Sequence, residues 1–392
     1  MRNRTGVRHS KEQRFGVKAG VPSAQPKSSS CLMWWIKRGL LAVCLIYVSV
    51  PFMMRLFPGI IKHLVYSHRV RVPFFIELCQ PAKLYLNHTV NMYLTSEQGI
   101  SLGVWHTVPE SQWKEAQGKN LGWYQKSLGD GCPIVIYLHG NGGTRAASNR
   151  VGVMNVLSAM GYHVLALDYR GFGDSSGEPT EVGLTTDALY LYHWVKARSG
   201  NSQVIFWGHS LGTGVATNTA VKLMEQGIVV DGVIIEGSFT NIRQEGANHP
   251  FAWYYLNFPG FEYFFLDPMA ENDLFFPNDE NLKRMRSPLL ILHAEDDHIV
   301  PIHMAQQLYE IALTAQKSEN RVKMIQFNGS LGYLHNGLYK DPHLPDIIRF
   351  LLEGLRTLYA LNITYTQQLV SPCQQLMMSL FVFRGSNEWN VG

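Results

Sequence analysis

The sequence predicts an α/β domain built on a mostly parallel sheet with helices on both faces. Three observations carry that prediction. From Pro133 onward, short apolar runs of strand length alternate with segments of helical spacing. Ile134–Leu138 (IVIYL) is continuously apolar, as a strand buried on both faces must be. The repeated strand–helix order implies right-handed crossovers within one sheet.

The elements follow in order. Thr89–Leu94 and Ser101–Trp105 read as two strands joined by a hairpin around Glu97–Gly99. Lys114–Asp130 is a polar excursion. Strands are expected over Ile134–Leu138, Val164–Asp168, Val204–Trp207, Val233–Glu236, Leu289–His293 and Val322–Phe327. Helices are expected over Val151–Met160, Thr185–Ala197, Val215–Gln226, His303–Leu313 and Ile347–Leu358. One segment, about residues 240–285, interrupts the alternation, and His249–Phe276 within it is dense in Phe, Tyr and Trp. A loop that long inside a compact domain commonly has a function. It reads as a lid whose apolar face binds an acyl chain or the membrane, or else as a helix packed into the core.

Upstream of the domain the composition changes. Nine Lys or Arg stand between Arg2 and Arg38 against the single acid Glu12, and Val21–Ser30 is rich in Ser and Pro. Residues 1–33 therefore read as a disordered basic tail. The apolar run Gly39–Met54 extends back to Trp34 if Lys37 and Arg38 snorkel. Residues 34–54 are accordingly expected to form a transmembrane signal anchor. A cleaved signal peptide would start nearer the N-terminus and end in small residues, whereas this run ends in Phe52, Met53 and Met54. Residues 55–88 form a connector that could lie on the membrane surface, residues 89–358 the main domain, and residues 359–392 a C-terminal tail. The N-terminal basic residues outnumber Arg55, Lys62, Arg69 and Arg71 after the span, which favours a cytoplasmic N-terminus. Three glycosylation sequons, at Asn87, Asn328 and Asn362, point the same way by favouring a luminal or extracellular domain.

Composition excludes some classes. A net charge of +4 is too mild for a nucleic-acid partner. The five cysteines show no CxxC or metal spacing. No metal and no cofactor are expected.

The chemistry is carried by Gly208-His-Ser-Leu-Gly212, which fits G-x-S-x-G between a predicted strand and a predicted helix. That context is the nucleophile elbow of the α/β-hydrolase fold. Ser210 must sit on a tight turn with its hydroxyl protruding, so Gly208 and Gly212 leave room for it. The fold orders its triad Ser, acid, His. Asp296 and Asp297 both follow the strand Leu289–His293, and Asp297 is favoured because D-x-x-V-P places it just before the next helix. Glu295 and Asp296 then read as surface or loop-capping residues. His335 follows the strand ending at Phe327 and is the expected general base, whereas His343 sits in a Pro-flanked segment. The oxyanion hole should combine the backbone N–H of Leu211 with one from His139-Gly-Asn-Gly-Gly143. Asn141 N–H is assigned there, with Gly140 as the neighbouring choice. Asp168–Asp174 reads as a turn supporting that loop.

The segments YLHGNGGT, LDYRGFGDSSG, WGHSLGTGVA, EGSFTN, FPNDENL and LILHAEDDHIVP together carry a family resemblance. The chain resembles the membrane-anchored α/β-hydrolase-domain lipases that act on lysophosphatidylserine and monoacylglycerols, over about residues 51–350. The resemblance implies a single-pass protein of the endoplasmic reticulum, a luminal or extracellular active site, and cleavage of one acyl ester from a lysolipid. Ser210, Asp297 and His335 match the family's triad one by one. The partners so implied are the lipid substrate and the bilayer, met through residues 34–54. An acyl-protein thioesterase and a non-catalytic hydrolase-fold binding protein stand as alternatives. A cytoplasmic active site would favour the first, and an incomplete triad the second.

Overall fold

The computed structural model describes residues 28–349. Asn362, the tail 359–392, the far end of the last expected helix and residues 1–27 of the basic tail lie outside them. The chain divides into two units, Met1–Val50 and Pro51–Gly392.

In the first unit, helix α1 (Ser28–Leu56, running into the second) begins six residues before the expected anchor. Its stretch Cys31–Leu56 is long and apolar enough to cross a membrane, with only 6% of its most apolar window buried. At 1.5 Å rise per residue that stretch is roughly 39 Å long, more than the ~30 Å hydrocarbon core.

The second unit holds an eight-stranded sheet in the order β1-β2-β4-β3-β5-β6-β7-β8. The strands are β1 (Thr89–Glu97), β2 (Ile100–Thr107), β3 (Ile134–Leu138), β4 (His163–Leu167), β5 (Val204–His209), β6 (Gly232–Glu236), β7 (Leu289–Ala294) and β8 (Val322–Phe327). The β1–β2 hairpin is antiparallel and joins β4 antiparallel, while all other pairs are parallel. The period-2 pleat divides each central strand between two cores. Ile134, Ile136, Leu138, Val204 and Phe206 enter one, and Val135, Tyr137, Ile205 and Trp207 enter the other. Helices α5 (Ser148–Ala159), α6 (Glu181–Lys196), α7 (Leu211–Glu225) and α11 (Ile302–Gln316) cover the two faces. Residues 344–349 are helical, three residues ahead of the expected start of the last helix.

Helices α5 and α6 start three and four residues ahead of expectation, at Ser148 and Glu181, and other places differ more. The polar excursion contains two short helices, α3 (Trp113–Ala116) and α4 (Leu121–Ser127). Asn120 caps α4 by accepting from Trp123 N–H at 3.0 Å, and Tyr124 anchors it inside. Helix α7 starts at Leu211, four residues early, because β5 runs on to His209 and leaves Ser210 as the whole turn. Gly212 and Gly214, poor helix formers, hid that first turn.

The connector is part of the fold rather than a surface strap. Helix α2 (Gly59–Tyr66) buries Ile61 and Tyr66 in the main core. The chain after it then runs beside the 142–144 loop.

The aromatic segment is broken into α8 (Ile242–Asn248), a 3-10 turn (Pro250–Tyr254), α9 (Asp267–Glu271) and α10 (Asn278–Arg284). Its two ends differ. Phe251, Trp253 and Tyr254 are 73–78% exposed. Asn278, by contrast, is fully buried, donating to Thr213 and to the Phe239 carbonyl and accepting from Thr217. The C-terminal end of the expected lid is therefore core, tied to α7.

Candidate active site

The C-terminal end of β5 positions Ser210. Its backbone has φ 51° and ψ −120°, a conformation few side-chain-bearing residues adopt. The surroundings enforce it. Ser210 N–H donates to the Glu236 carbonyl at 2.9 Å, and α7 begins at the next residue. A Cβ at Gly208 would collide with the Gly212 carbonyl, and one at Gly212 with the Leu138 carbonyl. Ser210 remains partly exposed while Gly208, His209, Leu211 and Gly212 are buried.

Asp297 and His335 come together from two different loops. His335 Nδ1–H donates to Asp297 Oδ2 at 2.7 Å. Asp297 Oδ1 accepts from the N–H groups of Ile299 and Val300, both at 2.9 Å. Burial pushes the Asp297 carboxyl up, but these hydrogen bonds and His335 hold it below the ordinary carboxylate range. Asp296 points elsewhere and accepts from Leu334 N–H at 3.2 Å. Glu295 accepts from Gly329 N–H at 3.0 Å. The two acids beside Asp297 thus shape the loop that carries His335.

Gly140 lies directly against Ser210, since a Cβ there would sit 3.0 Å from the serine's Cβ. Gly142 N–H donates to Tyr66 O at 2.9 Å and Gly143 N–H to Val70 O at 2.6 Å. Among the described residues Asn141 N–H has no acceptor. Leu211 N–H belongs to the first turn of α7, whose donors lack intrahelical partners. The turn after β4 supports this loop. Fully buried Asp168 accepts from Arg145 N–H at 2.7 Å and from its guanidinium at 2.6 Å, and Asp174 accepts from the same guanidinium.

Of the sequons, Asn87 and Asn328 are exposed, and Asn328 Oδ1 accepts from Ser330 N–H at 2.9 Å. Distant from the site, Asp130, Cys132 and His163 bring one donor atom each within 4.8 Å at the N-terminal ends of β3 and β4. Sequence spacing gave no hint of this cluster. Protein hydrogen bonds already satisfy its polar groups, with His163 Nε2 and Asp130 3.1 Å apart.

Three further groups escaped sequence reasoning. His209 Nε2–H donates to the His335 carbonyl at 2.9 Å, and burial pushes its imidazole down to about 3, so it is neutral. Glu245, on α8, is buried with Oε2 unpartnered, and burial with the nearby Asp297 charge pushes its carboxyl up to about 8. Glu236, 3% exposed, accepts from Trp207 Nε1–H at 2.9 Å. Burial pushes it up to about 7, only partly offset by Trp207 and His335. An acid closing an otherwise apolar strand, as in Val233–Glu236, was the one available signal.

The Glu236 shift has a testable consequence. Its folded value of about 7 lies above the unfolded ~4.3. Its contribution to stability is therefore full below about pH 4.3 and lost as pH rises through about 7. Glu236→Gln keeps the shape and an acceptor for Trp207, and is expected to match wild type at pH 4, below the unfolded value. At pH 8 it should be more stable by about 4 kcal/mol, the equivalent of the shift. Thermal melts at the two pH values check this, and an equal difference at both would refute it.

Known proteins resemble this chain in sequence and in fold. A family model described as alpha/beta hydrolase fold matches residues 133–271. Lysophosphatidylserine lipase ABHD12 of Rattus norvegicus is 47% identical over 344 residues, covering 84% of this chain and 86% of the relative. The Danio rerio protein of that name is 48% identical, covering 82% and 85%. Protein ABHD12B of Homo sapiens is 44% identical, covering 85% and 95%. Among solved structures, an esterase of Pyrococcus furiosus superposes with TM-score 0.52 at 19% identity, covering 72% of this chain and 96% of its own. Its likeness extends to the fold. On the identity and coverage of these relatives, the chain belongs to the ABHD12 family of α/β-hydrolases.

Proposed function

We propose that this chain is a membrane-anchored serine hydrolase that cleaves the acyl ester of lysophospholipids, lysophosphatidylserine among them, and of monoacylglycerols. One observation carries the reading: Ser210 stands on a positive-φ elbow in a fold that also pairs Asp297 with His335 at 2.7 Å. The substrate class is supported by the names of the ABHD12 relatives.

The steps follow from the roles of a Ser-His-Asp triad. His335 Nε2 takes the Ser210 proton as Oγ attacks the ester carbonyl. Asp297, holding Nδ1–H, keeps the imidazole in the tautomer whose Nε2 is free to accept, and it stabilises the imidazolium. Leu211 and Asn141 N–H groups bind the oxyanion. His335 then protonates the leaving glycerol oxygen, and the acyl-enzyme forms. Water, deprotonated by the same histidine, attacks that ester and releases the fatty acid and Ser210. No step calls for a metal or cofactor.

The helix Ser28–Leu56 would hold the enzyme at the bilayer that contains its substrate. We place the domain in the endoplasmic-reticulum lumen with a cytoplasmic N-terminus, supported by the basic N-terminal segment and by exposed Asn87 and Asn328. The exposed Phe251, Trp253 and Tyr254 suit a lid that admits an acyl chain.

The test is the full chain in nanodiscs, given lysophosphatidylserine, a monoacylglycerol and an S-palmitoylated peptide. Fatty acid should be released from the first two, and from the peptide at least tenfold more slowly. Faster cleavage of the peptide would transfer the assignment to an acyl-protein thioesterase. No turnover of any of the three by folded protein would favour a binding protein.

A further inference from the structure

Arg150, on α5, is 5% exposed, yet among the described residues none of its hydrogen bonds goes to a carboxylate. Its Nη2 donates to the Gly142 carbonyl at 2.7 Å, the Gly140 carbonyl at 3.3 Å and the Asn141 carbonyl at 3.4 Å. Its Nε and Nη1 are buried without an acceptor. The carboxylate that acts on it from a distance, Asp168, is already held by Arg145 at 2.6 Å. An unneutralised guanidinium in an interior is costly, and such a group needs an explanation.

Peptide geometry supplies one. In a trans peptide, the carbonyl of one residue and the N–H of the next point in opposite directions. The Gly140 carbonyl faces Arg150 and also accepts from His139 Nδ1–H at 2.7 Å. The N–H of Asn141 must therefore point away from the guanidinium. The following two peptides obey the same rule, and their N–H groups reach Tyr66 and Val70. Of the three, only Asn141 N–H finds no protein acceptor, and Gly140 beside it touches Ser210.

We infer that Arg150 is the positioning residue of the oxyanion hole: it gathers the carbonyls of residues 140–142, so that Asn141 N–H faces the nucleophile, and lends its unpaired positive charge to the developing oxyanion. Both effects act only when charge builds on the substrate oxygen, so they belong to the transition state. The inference rests on the serine-hydrolase reading above.

The test uses the full chain and a short-chain p-nitrophenyl ester, which does not depend on the identity of the natural lipid. Wild type must turn it over and react with a fluorophosphonate, and failure there would count against the hydrolase reading rather than against Arg150. Arg150→Gln, which keeps donors without charge, is expected to lower kcat about 10²-fold with KM unchanged within twofold. Arg150→Lys keeps the charge but loses the fork, and should lower kcat about tenfold. Affinity for a boronate transition-state analogue should fall by the same factors. The lysine variant carries the test if the glutamine variant does not fold. Wild-type kcat in either folded variant would overturn the inference. So would a loss that falls on KM, or analogue affinity that stays put while kcat drops.

Discussion

Replacing Ser210 with alanine is expected to lower kcat about 10⁶-fold and to abolish covalent labelling by a fluorophosphonate, with no loss of folded protein. The size of the effect follows from removing the atom that forms the acyl-enzyme. What remains is the rate that binding and the oxyanion donors provide alone, about 10³–10⁴ above water. The fold should survive because alanine keeps the Cβ and meets the same φ of 51°. The serine side chain also makes no capping hydrogen bond to α7. Labelling, turnover and thermal midpoint measured on the same preparations separate the chemistry from the fold. A labelled alanine variant would locate the nucleophile elsewhere and end the assignment.

The second large effect discriminates between neighbours. Asp297→Asn is expected to lower kcat about 10⁴-fold, and Asp296→Asn to leave it within a fewfold of wild type. Both oxygens of Asp297 accept hydrogen bonds, one from His335 Nδ1 and the other from two backbone N–H groups. An amide has one acceptor oxygen and one donor nitrogen. Facing His335 with nitrogen, it forces the imidazole into the tautomer that cannot take the serine proton. Facing the backbone with nitrogen, it opposes two donors. Asp296 loses only a single 3.2 Å contact to Leu334 N–H. Steady-state kinetics on the two variants decide the matter, and equal losses would mean that the loop's shape, not the acid's contact with His335, sets the rate.

The parts of this protein legible in its sequence are those in which local pattern and local chemistry coincide. The strand Ile134–Leu138 was read to the residue, because a bounded apolar run allows little else. The G-x-S-x-G turn was equally legible, since few side chains tolerate so close an approach of backbone to backbone. Chain order narrowed the proposed acid to two adjacent residues and the proposed base to one histidine. The geometry that separates Asp297 from Asp296 came from the tertiary structure, because consecutive residues point in different directions and only the neighbouring loop shows which one meets His335.

Other features depend on contacts distant in sequence, which leave no local pattern. The carbonyls of Tyr66 and Val70, in a segment expected to lie outside the domain, occupy the N–H groups of Gly142 and Gly143. Arg150 stands one residue ahead of the helix expected from Val151, and only the fold places it behind the 140–142 loop. Glu236 and Glu245 acquired their raised pKa values from burial that neither residue type implies. Sequence by itself determined the elbow and the apolar helix, both written in spacings of a few residues, and the chain order of the proposed catalytic groups. The fold alone decided which acid meets the histidine, which N–H stays free beside the serine, and which charges are stranded in the interior, because those depend on how segments dozens of residues apart exclude water from one another.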